Sequence, residues 1–83
     1  MHGFGVILWS DGNYFEGQFL EDKKEGFGIY YSKKKIFLGN WIQNALVGNV
    51  IIVDNGKIKK QFWKDGRPFK RLPDDTPIYF ENS

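Results

Sequence analysis

Cysteine is absent from the 83 residues, so disulfides and thiolate metal ligands are excluded, and a reducing compartment is compatible with the chain. There is one histidine, His2, and one methionine. A lone histidine is a poor basis for a metal site or for acid–base catalysis. Ser10 and Ser32 sit in turn-like stretches with no neighbouring base, so nucleophilic catalysis lacks its partner. Asp74 and Asp75 are adjacent in a proline-flanked segment, where successive side chains point apart. No apolar run approaches the roughly 20 residues that span a bilayer, and no signal-peptide pattern opens the chain. Gly3-x-Gly5 leads into a strand rather than a helix N-terminus, so it is not a phosphate loop. The inventory predicts no enzyme and no cofactor.

What is abundant is aromatic side chain and glycine: eight Phe, four Tyr, three Trp and ten Gly. Aromatics carry the most apolar area per residue, which suits a thin array with little room for a deep core. The stretch Gly3 to Phe19 reads as two strands about a turn. Val6 to Trp9 is an apolar run, Ser10-Asp-Gly-Asn13 is turn chemistry, and Asn13 to Phe19 alternates. The unit then recurs. Gly26-Phe-Gly28 restarts it, and Gly48 opens a third copy. A fixed period in the twenties predicts stacked repeats.

The copies agree where backbone physics is demanding. Phe15-x-Gly17-x-Phe19 returns as Phe37-x-Gly39-x-Trp41 and, altered, as Lys59-x-Gln61-x-Trp63. Residues two apart on a strand share a face, so each triplet sets a gap between two large side chains. Gly39 is expected to reject a side chain, and its neighbour Asn40 to be exposed. Three residues beyond each triplet stand Asp22, Asn44 and Gly66, types that tolerate positive φ, which predicts a corner at each.

Strands are expected at Phe27 to Tyr31, Ile36 to Trp41, Asn49 to Val53 and Lys57 to Trp63, with a helical alternative for the last. Glu21-Asp22-Lys23-Lys24 reads as a polar link, and Lys64-Asp-Gly-Arg-Pro68 as a turn. From Leu72 the pattern changes to Pro73-Asp-Asp-Thr-Pro77 and a short apolar patch, Ile78-Tyr-Phe80. That tail is expected to protect the last strand edge, with an extended segment held by a neighbour as the alternative.

These motifs (Gly3-Phe-Gly5, Asp11-Gly12, Phe15 to Phe19, Gly26-Phe-Gly28, Phe37 to Trp41) resemble the MORN repeat, the membrane occupation and recognition nexus. The resemblance is close over residues 2 to 48 and loose from 48 to 71, where Val50, Lys59 and Gln61 replace expected glycine or aromatic positions. It implies an all-β fold: an elongated, twisted, single-layer antiparallel sheet of about three stacked hairpins. The units are expected at about 2–25, 26–47 and 48–71, with a capping or extended tail at 72–83. His2-Gly-Phe-Gly5 matches the middle of a family repeat, so an excerpt of a longer repeat chain is one expectation and a native start on a bare edge the other.

Two binding readings follow. In the first, the aromatic and glycine face docks a partner protein through Trp9, Phe15, Phe19, Tyr30, Phe37, Trp41 and Trp63. About two-thirds of these rings are expected to pack against one another instead, and Tyr30 is the ring expected to stay open. In the second, Lys33, Lys34, Lys35, Lys57, Lys59, Lys60 and Lys64 meet anionic lipid. Charge is segregated: residues 1–32 carry net −3, 33–71 net +8 and 72–83 net −3. Protection of sheet edges by lysine is the simpler explanation for that basic middle. Nucleic acid is a weaker third, since the net charge is only +2. The resemblance implies a non-catalytic scaffold or adaptor in the cytoplasm, at a cytoskeletal, ciliary or membrane-linked assembly. Because such repeats also occur beside catalytic domains, a longer parent chain is not thereby excluded from being an enzyme.

Overall fold

Strand-forming runs punctuated by residues that accept positive φ give a sheet with nearly every turn as short as a hairpin permits. In a computed structural model, which describes residues 2–80, seven strands form: β1 (Gly3–Leu8), β2 (Tyr14–Leu20), β3 (Lys23–Ser32), β4 (Lys35–Ile42), β5 (Ala45–Asp54), β6 (Lys57–Lys64) and β7 (Arg67–Leu72). They make one antiparallel sheet in chain order, with β1 and β7 at opposite edges, so it does not close. Its extents are 36 × 27 × 21 Å.

Two differences from the sequence reading are physical. Lys23 and Lys24 belong to β3 rather than to a link, because the turn before them needs only two residues. Pro68 lies inside β7, opposite Trp63. An edge strand tolerates a proline because no neighbour needs its missing N–H.

Five turns have two central residues, both at positive φ: Glu21 and Asp22 (50° and 65°), Lys33 and Lys34 (50° and 70°), Gln43 and Asn44 (47° and 72°), Asn55 and Gly56 (52° and 81°), Asp65 and Gly66 (55° and 77°). That is the backbone whose twist matches flanking strands. The corners expected at Asp22, Asn44 and Gly66 are all present. The β1–β2 connection is longer, with the Asn13 N–H donating to Asp11 Oδ1 at 3.1 Å. Each repeat also carries a bulge. Between Gly17 and Phe19, and again between Leu38 and Asn40, the facing strand holds two extra residues. Bulges bend a strand and increase its twist.

Alternation divides the sheet into two faces. On one, Ile7, Phe15, Tyr30, Phe37, Ile52 and Lys59 lie side by side across β1 to β6. Beside that row runs a second: Gly5, Gly17, Gly28 and Gly39. The buried residues Phe15, Phe19, Trp41, Leu46, Val50 and Ile52 form the core, with Ile7, Tyr30, Phe37 and Trp63 against it. The glycine row provides the seat. A Cβ on Gly28 would collide with the Phe15 ring, and one on Gly17 would lie 2.6 Å from the Gly28 backbone. The rings therefore lie directly on the sheet, which lets one layer bury them.

The opposite face carries Glu16, Ile29, Leu38, Ile51 and Lys60 in register. The segment after β7 reaches this face. Lys60 Nζ donates to the carbonyls of Asp74 and Thr76, both at 2.7 Å. Phe80 packs on Phe27 of β3 at 5.2 Å between centroids. The tail thus runs over a face instead of along the β7 edge, because the lysine and the phenylalanine that hold it stand on that face.

Candidate functional site

The site grows from two repeat-related latches that fix the turns at one end of the sheet. His2 Nδ1 accepts from the Glu21 N–H at 3.1 Å, and one repeat later Glu25 Oε1 accepts from the Gln43 N–H at 3.2 Å. In both, the side chain just before Gly-x-Gly ties down the first residue of a left-handed turn. His2 therefore has a structural partner. A third latch joins neighbouring repeats: the Lys24 N–H donates to Asn44 Oδ1 at 2.9 Å, and the Asn44 N–H donates to the Lys24 carbonyl at 3.1 Å.

Beside these latches the aromatic rings pack against one another. Phe15 stands edge-on to Phe19 and to Trp41, at 5.4 and 5.2 Å between centroids. Trp9 meets Tyr30 edge-on at 6.0 Å, and Phe37 meets Trp63 edge-on at 6.2 Å. Offset and edge-to-face geometry is what the ring quadrupole favours. Tyr30, Phe37, Trp41, Leu46 and Trp63 line an open, largely apolar cleft of about 280 Å³ together with Asn44, Ala45 and Gly66.

Of the seven aromatic candidates, Phe15, Phe19 and Trp41 are buried in the core. Tyr30, Phe37 and Trp63 are half-buried, and Trp9 is 38% exposed. Trp9, not Tyr30, is therefore the most open ring. Tyr30 is covered because it stands mid-sheet, with Trp9, Phe37 and Trp41 around it. Trp63 is further fixed by its indole N–H donating to Gln61 Oε1 at 3.1 Å, so the residue replacing a family glycine gains a polar role. Asn40 is half-buried, not exposed, and its Oδ1 is enclosed without a hydrogen-bond partner.

Lys24 is the residue the sequence reading did not single out. Its ammonium lies 5.6, 5.3 and 5.6 Å from the ring centroids of Trp9, Phe15 and Trp41, within cation–π range. Burial lowers its pKa below the usual lysine value. The signal was available, because Lys24 stands one 22-residue period before buried Leu46.

The seven lysine candidates do not form one patch. Lys33, Lys34, Lys35 and Lys57 cluster at the turns of one end, exposed. Lys35 and Lys59 lie 3.9 and 3.6 Å from Asp54 Oδ2. Lys60 is committed to the tail carbonyls on the opposite face. Lys64, the last residue of β6 at the opposite end of the sheet, lies 5.5 Å from the Phe69 ring. Among the described residues no group of three or more His, Asp or Glu side chains is placed to hold a metal, and no helix is long and apolar enough to cross a membrane.

A single open sheet of hairpins in chain order, with aromatic rings seated on a glycine row, defines a β-hairpin repeat protein. The MORN repeat family model matches residues 1–14 and 15–35, and the chain belongs to the MORN-repeat proteins, whole or as a fragment of one. MORN repeats serve protein and membrane interactions. The chain is 32% identical over 83 residues to the inactive protein tyrosine kinase pTKL of Plasmodium falciparum (isolate 3D7), covering 99% of this chain and 5% of that protein. It is 31% identical over 68 residues to the inactive protein tyrosine kinase pTKL of Plasmodium berghei (strain Anka), covering 78% of this chain and 5% of that protein. The chain thus spans about 5% of the length of these curated relatives.

Proposed function

We propose that this chain is a non-catalytic docking module that takes a partner protein on its aromatic–glycine face, as part of a larger cytoplasmic assembly. The observation carrying this reading is the cleft among Tyr30, Phe37, Trp41 and Trp63, with Trp9 open on the same face. Half-buried tryptophan and tyrosine around a preformed apolar cleft are the usual anchors of protein interfaces. The relatives' description as inactive kinases is in line with a role outside catalysis. Family membership favours a cytoskeletal, ciliary or membrane-linked setting.

A second reading, anionic lipid, draws on Lys33, Lys34, Lys35 and Lys57 being exposed at one end of the sheet. It is weakened because Lys35 and Lys59 share Asp54 and Lys60 is engaged elsewhere. Two variants, each checked by its thermal melt for an intact fold, separate the readings. One changes Lys33, Lys34 and Lys35 to Gln; the other is Trp63→Ala. Sedimentation with phosphatidylserine vesicles is expected to be weak for the wild type at 0.15 M salt. Capture of a crosslinked protein partner in cells is expected to survive the lysine changes and fail with Trp63→Ala. Strong vesicle binding that collapses in high salt and in the lysine variant would put lipid first, since salt screens exposed charges within about 10 Å at 0.1 M.

A further inference from the structure

We propose that the aromatic face selects an extended acidic–apolar segment of its partner, with a carboxylate meeting the Lys24 ammonium and an apolar side chain entering the cleft beside Trp41. This names the chemistry of the partner and rests on the docking reading above.

Lys24 stands where the repeat places an apolar side chain. One period later the position is Leu46, 5% exposed, facing Trp41 across β4 and β5, much as Lys24 faces Phe19 across β2 and β3. A leucine therefore fits this position of the fold. The lysine instead places a cation over Trp9, Phe15 and Trp41. Ring faces attract an ammonium but supply no formal negative charge, and among the described residues no carboxylate reaches Lys24. Burial has already removed part of its hydration. An ammonium that is partly desolvated and has no counter-ion among the described residues favours an arriving carboxylate, because a charge-assisted hydrogen bond strengthens as the local dielectric falls.

The cation and the cleft are one surface. Trp41 lies under the ammonium and also lines the cleft. Asn44 is hydrogen-bonded to both backbone groups of Lys24 and also lines the cleft. An extended segment advances about 3.3 Å per residue. One strand-like peptide then reaches both features if its acid and its apolar side chain are about two to four residues apart.

The test is selection of a random decapeptide library, displayed on phage, against the intact 83-residue chain. Enriched peptides should carry Asp or Glu two to four residues from Leu, Ile, Phe or Trp. A synthetic peptide of that sequence should bind Lys24→Leu about tenfold more weakly or worse, with the melt of the variant showing an intact fold. Lys24→Gln tests the charge independently should leucine repack the rings, and Lys24→Arg should retain binding. Peptides without acids that bind wild type and Lys24→Gln equally would overturn the acidic preference while leaving the docking face intact. Selected peptides indifferent to Trp63→Ala, or no selected peptides, would remove the docking face and this proposal with it.

Discussion

The ring of Phe15 lies over Gly28 and fills the position that a Cβ on that residue would need. Phe15 is fully buried and is held edge-on by Phe19 and Trp41, so it has nowhere to move. Gly28→Ala is expected to destabilise the domain by about 1–3 kcal/mol, the usual cost of overpacking. Gly39→Ala should cost less, because the atoms it meets are the Leu46 and Val50 methyl groups at 3.0 and 3.2 Å, which rotate more easily than a clamped ring. Urea melts of the two variants check the order. Equal losses would mean that the glycines serve strand conformation rather than the seating of rings.

Asn40 offers a gain. One repeat earlier, Gln18 Oε1 accepts from the Phe27 N–H at 3.0 Å and bridges the bulge between β2 and β3. Asn40 occupies the matching place, one methylene shorter, and its Oδ1 is enclosed without a partner. Asn40→Gln should reach the amide of Asn49 across the corresponding bulge and stabilise the fold by about 1 kcal/mol. A thermal melt reads this directly, and a lower melting temperature would show that the second bulge has no room for the longer side chain.

Lys24 gives a pH-dependent difference whose sign is fixed. Its folded pKa is lowered from 10.5 by burial. Below the folded value the ammonium is charged in both states, and the folded state carries the desolvation cost. As pH rises from the folded pKa towards 10.5 the proton leaves the folded state first, and that cost disappears. Lys24→Leu should therefore exceed the wild type in melting temperature by most at neutral pH, with the gap narrowing near pH 10.5. A gap that widens with pH would show that attraction to the rings outweighs desolvation.

Truncation after Leu72 should act at a distance from the new terminus. Lys60 would lose two carbonyl acceptors and Phe27 its ring contact with Phe80. Amide exchange is expected to rise in β3 around Phe27 and in β6 around Lys60, with a modest fall in melting temperature. Faster exchange confined to β7 would instead make the tail a guard of that edge.

Much of this architecture is legible in the chain because its constraints are local. Asp22, Asn44 and Gly66 report turns from residue type alone, since few side chains tolerate positive φ. The spacing of Phe15, Gly17 and Phe19 and its return at Phe37, Gly39 and Trp41 fix which side chains share a face, since a strand repeats every two residues. β7 was hidden because Pro68 and its basic neighbours look like loop; its place at the sheet edge makes them acceptable, and edge position is not a local property.

The placement of individual side chains depended on contacts between strands far apart in sequence. Whether Tyr30 or Trp9 stays open turns on how many rings crowd each one across the sheet. Lys24 becomes central because Trp9, Phe15 and Trp41, from three different parts of the chain, converge on its ammonium. Lys60 leaves the basic group because a tail fourteen residues on lies over it. Periodicity assigns a residue to a face, since alternation is a property of the backbone. Burial, pairing and charge environment on that face come from what the folded sheet brings opposite it.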